Sequence, residues 1–319
     1  MSNESNNIGR AYEYACIMQL SERISAIRRV RVVENSSLLA SKRAWDSIDP
    51  HYRDKFLLSA NAAVEILFEA EPLILENDDI LELKLQRDTE GETGDVRDCL
   101  IIRKGIDWEI GLSIKHNHFA VKHSRLAKSL DFGKRWFGLP CSKEYWCEVK
   151  PIFDYLEVEK AKKTKWRDLH SKDTKIYVPL LKAFLAEIRR SNEQHEKLPT
   201  AMVEYLLGGY DFYKVISVDS KKVTQIQPYN FRGTLNRSGN KQKPKIIIPI
   251  SCLPTRIVIS EFKPNSTNTV EIYFDEGWQF GFRIHNASTY VEPSLKFDVQ
   301  IIGMPTTIMM LKCNWDIAT

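Results

Sequence analysis

Two short runs constrain this chain more than any other part of it. The first is Gly94-Asp95-Val96-Arg97-Asp98-Cys99-Leu100-Ile101-Ile102-Arg103. The second is Trp108-Glu109-Ile110-Gly111-Leu112-Ser113-Ile114-Lys115-His116-Asn117-His118, and Lys104-Gly105-Ile106-Asp107 lies between them. Both runs read as β-strands and the four residues between them as a hairpin turn. Side chains alternate across a strand. In the second run Trp108, Ile110, Leu112 and Ile114 share one face, all apolar, while Glu109, Gly111, Ser113 and Lys115 share the other. With that turn, Arg103 stands opposite Trp108. Counting outward puts Leu100 opposite Gly111 and Asp98 opposite Ser113. Lys115 is two residues beyond Ser113 on the same face, so Asp98 and Lys115 converge. Asp95 falls opposite His116, off that face unless the strand bends.

A carboxylate and a lysine meeting at the end of a hairpin suit metal-assisted hydrolysis of a phosphodiester. Magnesium takes oxygen ligands, and a lysine orients and polarises an attacking water. An ordinary edge hairpin with solvated charges has the same spacing, so the pattern alone does not separate the two readings.

The chain has 319 residues, 43% of them hydrophobic, enough for one large domain or two smaller ones. A formal net charge of +4 permits an acidic partner without demanding one. No apolar run is long enough to span a membrane, and the polar start Met1-Ser2-Asn3-Glu4-Ser5-Asn6-Asn7 lacks the layout of a signal peptide. The six cysteines, at 16, 99, 141, 147, 252 and 313, form no CxxC pair. That argues against a zinc site and for a reduced, cytosolic protein.

Residues 1 to about 70 have helical spacing, with Phe56, Leu57, Ala60, Val64, Leu67 and Phe68 as one apolar stripe. Residues 80–118 are β-rich. Helix returns from Ser124 to about Phe137, and another runs from Val178 to about Gln194. The polar stretch Glu193 to Pro199 marks a boundary. After Gly208-Gly209 come short β-branched and aromatic runs: Lys245–Ile250, Arg256–Phe262, Thr269–Phe274, Trp278–Ile284, Leu295–Ile302 and Thr307–Leu311. Asp275-Glu276-Gly277 is a hairpin turn. The order predicts an α/β fold, a core over residues 1–199 followed by a β-rich part over 200–319.

Three segments suit contact with nucleic acid. From Lys115 to Arg135 the chain holds Lys122, Arg125, Lys128, Lys134 and Arg135 with His116, His118 and His123, against one acid, Asp131. His116-Asn117-His118 spells HNH, but three consecutive residues cannot all face one ion. Arg232, Arg237, Lys241, Lys243 and Lys245 lie in a polar stretch with glycines, expected to be a mobile loop. In Gly277–Ser288, Phe280, Phe282 and Ile284 pack to one side, while Gln279, Arg283 and His285 point to the other, where such side chains read bases or hold phosphates. Solvated surface is the plain alternative for each.

Taken together, GDVRD…WEIGLSIKHNHFAVKHSRL (Gly94 to Leu126), LDFGKRWFGLPCSKEYW (Leu130 to Trp146) and GWQFGFRIHNAS…VEPSLKFDVQIIGMP (Gly277 to Pro305) resemble the HaeIII family of type II restriction endonucleases. The resemblance covers nearly the whole chain. It implies cleavage of duplex DNA at GGCC with blunt ends, a Mg²⁺ requirement, and a PD-(D/E)xK nuclease core, a mixed sheet flanked by helices. It also implies a bacterial cytoplasmic protein, with residues 200–319 as the DNA-recognition part and a cognate DNA methyltransferase as functional partner. A two-fold site is most simply read by a homodimer. The superfamily pattern wants an acid two residues before the lysine, and Ser113 stands there. Glu109 is about 20 Å from Lys115 along an extended strand, too far for one ion. The second carboxylate is then sought in Asp95, or in Glu13 or Glu65 from the N-terminal helices, with Glu65 favoured because its helix is mostly apolar. The expected hydrolytic set is Asp98, Lys115, Asp95, Ser113 and Glu65, with Asp98, Asp95 and Glu65 on the metal. The expected DNA contacts are His116, Asn117, His118, Lys122, His123, Arg125, Arg232, Arg237, Arg256, Arg283, His285 and Asn286. A non-catalytic DNA-binding protein and a structure-specific repair nuclease are the competing readings.

Overall fold

The computed structural model describes residues 2–76, 79–86, 95–117 and 124–315. In chain order the elements are α1 (Ser2–Ser25), β1 (Val30–Val32), α2 (Ser36–Ser47), α3 (Pro50–Ala70), β2 (Leu81–Leu85), β3 (Cys99–Arg103), β4 (Trp108–His116), β5 (Arg125–Ala127), α4 (Phe132–Phe137), α5 (Lys143–Ala161), α6 (Val178–Gln194) and α7 (Leu198–Leu207). They continue with β6 (Phe212–Val218), β7 (Val223–Tyr229), β8 (Ile257–Phe262), β9 (Thr269–Phe274), β10 (Gln279–His285), β11 (Ser294–Gly303) and β12 (Leu311–Asn314). Among the described residues no helix is long and apolar enough to cross a membrane.

The protein is mixed α/β, and contacts divide it into two interleaved units. One comprises residues 1–119, 208–251 and 306–319, the other 120–207 and 252–305. This corrects the expected division at residue 199. The reason is pairing: β6 lies beside β4 in parallel register and β12 closes on β7, so residues after 200 return to the first sheet.

In the first unit the described strands form a mixed sheet in the order β1-β2-β3-β4-β6-β7-β12. The hairpin has the register read from the sequence, with Leu100 opposite Gly111 and Arg103 opposite Trp108. Its turn is a single 3-10 turn closed by Asp107 in the left-handed region. One face of the sheet, including Leu83, Cys99, Ile101, Ile110, Leu112, Ile114, Tyr213, Val215 and Ile226, packs with α1 and α3 in one core. Asp49 starts α3 by accepting from the His51 amide, with Pro50 in the first turn. Of the expected stripe on α3, Phe56, Ala60, Val64 and Leu67 are buried, whereas Leu57 and Phe68 stay partly exposed.

The basic stretch after Arg232 is pinned rather than loose. The Asn236 side chain donates to the carbonyls of Ala70 and Ile246 and accepts from the Ile248 amide. The Lys245 amide donates to the Glu69 carbonyl. Those bonds take up backbone groups that a ladder would need, and residues 245–250 form no strand. At the C-terminal end the strand starts only at Leu311.

In the second unit the described strands form an antiparallel sheet, β5-β11-β10-β9-β8. Phe280, Phe282 and Ile284 are buried together with Phe132, Trp136, Phe184 and Phe297. Arg125–Ala127 is a strand, not the expected helix, because it pairs with Ser294–Lys296.

Candidate active site

Period-two alternation and the hairpin register put Asp98 and Lys115 together. The Asp98 amide donates to the Leu112 carbonyl at 2.7 Å, continuing the ladder one residue beyond β3. The Asp98 side chain then turns toward the end of β4. Its Oδ2 accepts from the Ile114 amide at 2.6 Å, from Lys115 Nζ at 2.9 Å and, weakly, from Ser113 Oγ at 3.5 Å. The Asp98 and Lys115 side chains remain 24% and 31% exposed, so the pair borders solvent. Among the described residues Oδ1 takes none of these bonds.

Asp95 is held elsewhere. It accepts from the Arg97 amide, from Arg97 Nε and Nη2, and from Gln86 Nε2, all at 2.8–3.0 Å. Burial alone would raise this carboxyl, but Arg97 and Gln86 outweigh it and hold it below the usual carboxylate range. Arg97 also reaches Glu109 at 2.8 Å and stacks on the Tyr210 ring at 4.0 Å. Its path crosses Gly111, where a Cβ would lie 2.0 Å from Arg97 Cδ.

Glu65 is not brought to Asp98. Its carboxylate pairs with Arg23, is 45% exposed, and acts on the thiol of Cys313 in β12. β12 is four strand spacings from β3, about 19 Å. Of the two helical candidates, Glu13 is the one whose charge acts on the same thiols as Asp98. Burial, then Asp98 and Glu13, push the Cys99 thiol up. The buried Cys16 thiol is pushed up first by burial and then by Cys99, with Glu13 and Asp98 again adding to the rise. The two carboxylates that act on both thiols are thus Asp98 and Glu13. Among the described residues no group of three or more His, Cys, Asp or Glu side chains is arranged to hold a metal.

Sequence reading missed Lys214. It lies in β6 in parallel register with Ser113 and is 4% exposed. The available signal was a lysine inside the apolar run Phe212–Val218.

Comparison with known proteins places this hairpin in context. A family model for the HaeIII restriction endonuclease matches residues 9–305. The chain belongs to the HaeIII restriction endonuclease family. It is 50% identical over 317 residues to the type II restriction enzyme HaeIII of Haemophilus aegyptius, covering 99% of this chain and 100% of the relative. No solved structure matches. The activity class is accordingly that of a type II restriction endonuclease, a site-specific deoxyribonuclease.

The residues expected to meet DNA in this HaeIII-family chain scatter. His116 turns into the core side, with its ring 4.9 Å from Phe56 and edge-on to Tyr12 and Tyr52. Burial lowers its pKa, against the pull of Asp219. Asn117 takes a left-handed φ of 49° and accepts from the Asp219 amide at 3.0 Å, closing β4 onto the β6–β7 turn. Both thus make contacts within the first unit. His118, Lys122 and His123 lie outside the described residues. Arg232 and Arg237 line a cavity of about 240 Å³ with Arg97, Trp108, Glu109 and Tyr210. Arg125 is exposed on β5 and donates to Ser294 Oγ at 3.2 Å. Arg283 pairs with Asp298 at 2.8 Å, and Arg256 stands 3.8 Å from Asp275. His285 is partly buried at the end of β10. Asn286 donates to the carbonyls of Ser288 and Tyr290, which holds a turn.

Proposed function

We propose that Asp98 and Lys115 form the hydrolytic centre of a Mg²⁺-dependent enzyme that cuts duplex DNA at GGCC and leaves blunt ends. The observation that carries this reading is the convergence of Lys115 Nζ and the Ile114 amide on one oxygen of Asp98, at the solvent-bordering end of β4. The GGCC site and the blunt ends are what likeness to the HaeIII family suggests for this chain. A PD-(D/E)xK core agrees with a mixed sheet in which β4 pairs antiparallel with β3 and parallel with β6.

The donor set fits magnesium. Asp98 Oδ1 takes no hydrogen bond among the described residues, and Glu13 supplies a second hard oxygen donor from α1. Magnesium keeps several waters and needs few protein ligands, so a sparse acidic site is sufficient. When bound, the ion offsets charge on the scissile phosphate and the leaving 3′ oxygen.

The residues of this chain do the rest. Lys115 holds an ammonium beside Asp98, where it orients an attacking water and favours its ionised form. The Ile114 amide fixes the Asp98 rotamer, so the carboxylate needs no reorganisation when substrate arrives. Ser113 is a weak donor to Asp98 and a poor magnesium ligand. Asp95 serves the fold through Arg97. Arg125, Arg256 and Arg283 are the exposed arginines assigned to DNA, with Arg232 and Arg237 on the other unit. A homodimer matches the two-fold symmetry of such a site, and a cognate methyltransferase protects the host's own sites.

Digestion of a plasmid of known sequence tests the reading. Discrete fragments ending in GG and CC are expected with Mg²⁺, none with EDTA, and none from Lys115→Ala or Asp98→Asn, both of which should still bind DNA. Normal turnover by either variant removes the assignment. Tight binding without cleavage across divalent metals would favour the non-catalytic reading.

A further inference from the structure

Asp98 lies one residue before β3 begins, at a strand end, where a backbone is least held. Yet its own backbone is bonded on both sides. Its amide donates to the Leu112 carbonyl at 2.7 Å, and its carbonyl accepts from the Gln86 amide at 2.8 Å. Gln86 continues the β2–β3 register past Leu85 and Cys99, and so stands opposite Asp98. The Gln86 side chain reaches further. Its Nε2 donates to the Arg97 carbonyl at 3.1 Å and to Asp95 Oδ2 at 2.8 Å. Asp95 in turn accepts from the Arg97 amide, Nε and Nη2. The Arg97 guanidinium is held from beyond by Glu109 and by the Tyr210 ring, and its stem lies against Gly111. The Arg97 and Asp95 side chains are 5% and 11% exposed. All of these residues belong to the first unit.

We infer that Gln86, Asp95 and Arg97 form a positioning clamp, which locks the backbone over residues 95–98 and thereby fixes where the Asp98 carboxylate points. The inference rests on the reading of Asp98 and Lys115 as the hydrolytic centre. These three residues act through the chain, on the backbone that carries Asp98. Asp98 Oδ2 has to meet the Ile114 amide and Lys115 Nζ together, at 2.6 and 2.9 Å. Each residue has two soft dihedrals, so freedom at Arg97 passes directly to the Asp98 carboxylate. A displacement of about 1 Å at a reacting group is enough to cost about 100-fold in rate. An exposed ion pair holds its partners weakly. The Asp95–Arg97 pair is nearly buried and adds the Arg97 backbone amide to two guanidinium bonds, so it fixes main chain as well as side chains. Gln86 supplies what the ion pair lacks. One amide group bonds both the Asp95 carboxylate and the Arg97 carbonyl, which ties the pair to the end of β2. Without that donor Asp95 and Arg97 still grip each other, but the loop they make loses its tie to the sheet on that side.

Gln86→Met keeps the length of the side chain and removes its donor. In single-turnover cleavage of a short duplex carrying the mapped cutting site, it is expected to be about 100-fold slower than wild type. Its affinity for that duplex in EDTA should stay within about threefold. A second readout needs neither metal nor cleavage: hydrogen exchange, followed by NMR, of the Ile114 amide that donates to Asp98 Oδ2. In Gln86→Met that amide is expected to exchange at least about tenfold faster, while amides paired between β4 and β6 keep their protection. Gln86→Lys restores a donor of similar reach and should recover much of the rate and of the Ile114 protection. Asp95→Asn turns one acceptor into a donor facing Gln86 and Arg97, and should reproduce both changes by an independent route. Cleavage by Gln86→Met at the wild-type rate overturns the inference. So does a slow variant whose Ile114 amide exchanges as in wild type, or one that loses protection across the whole sheet, the mark of a general structural defect. Lys115→Ala run alongside separates the two levels: if it is inactive while Gln86→Met cleaves normally, only the clamp fails, and if it too cleaves normally, the centre itself is misplaced.

Discussion

Asp95 and Asp98 sit three residues apart in the same polar approach to a strand, yet they meet different partners. Arg97 closes on Asp95 through its backbone amide and two guanidinium nitrogens, a short-range claim that uses up both carboxylate oxygens. Asp98 lies one ladder position before β3 and receives its donors from β4. Local chemistry decides the first case and strand pairing the second. Glu13 and Glu65 divide in the same way, since both are glutamates on N-terminal helices and only Glu13 acts on the Cys99 thiol that Asp98 also perturbs. Glu13→Gln is expected to slow cleavage by about 100-fold and to raise the magnesium concentration for half-maximal rate, with Glu65→Gln within about twofold of wild type. A magnesium titration of both variants checks this, and the reverse ranking would restore Glu65.

At the scale of elements, the hairpin was legible because a period of two admits only one assignment of faces once the turn is placed. The helix Val178–Gln194 was legible because its apolar stripe, Leu181, Phe184, Leu185 and Ile188, is local. β5 was not, since three residues of no strand character become a strand only through pairing with β11. Within β4, Gly111 is required by a neighbour rather than by its own backbone. Gly111→Ala puts a methyl into the path of Arg97 and is expected to cost about 1–3 kcal/mol. It should also loosen Asp95. Urea unfolding midpoints of the variant and wild type measure this, and an unchanged midpoint would mean that Arg97 moves aside freely.

The whole molecule is interleaved, and two predictions belong to that scale. A fragment of residues 1–199 keeps β1 to β4 but lacks β6, β7 and β12, so its sheet ends at β4 with an open edge. It is expected to show no cooperative unfolding transition in urea, and a sharp one would show that the expected boundary was a folding boundary after all. The second prediction concerns Glu71, at the end of α3, which is fully buried. It accepts from the Tyr213 hydroxyl and from the Asn236 amide, tying α3 to β6 and to the stretch after β7. Burial raises its pKa from 4.5 to about 7, against the pull of those donors. The folded state therefore holds a proton that the unfolded state has released. The contribution is present in full below the unfolded value and is lost as pH rises through about 7, a change of about 3 kcal/mol. Glu71→Gln needs no proton. Its stability relative to wild type should rise between pH 5 and pH 8, and a difference that does not vary with pH would mean that Glu71 titrates normally.

By itself the sequence determined the hairpin, its faces and the meeting of Asp98 with Lys115, because strand alternation and a short turn are local and leave one register. It also carried the family, through long runs that no spacing argument could supply. Only the tertiary structure decided that Glu13 rather than Glu65 shares with Asp98 the surroundings of the Cys99 and Cys16 thiols, that Lys214 stands beside Ser113, and that β6, β7 and β12 belong to the sheet of β4. Each of these depends on which distant segments pair or pack, and pairing partners about 85 to 100 residues apart leave no periodic mark in either segment.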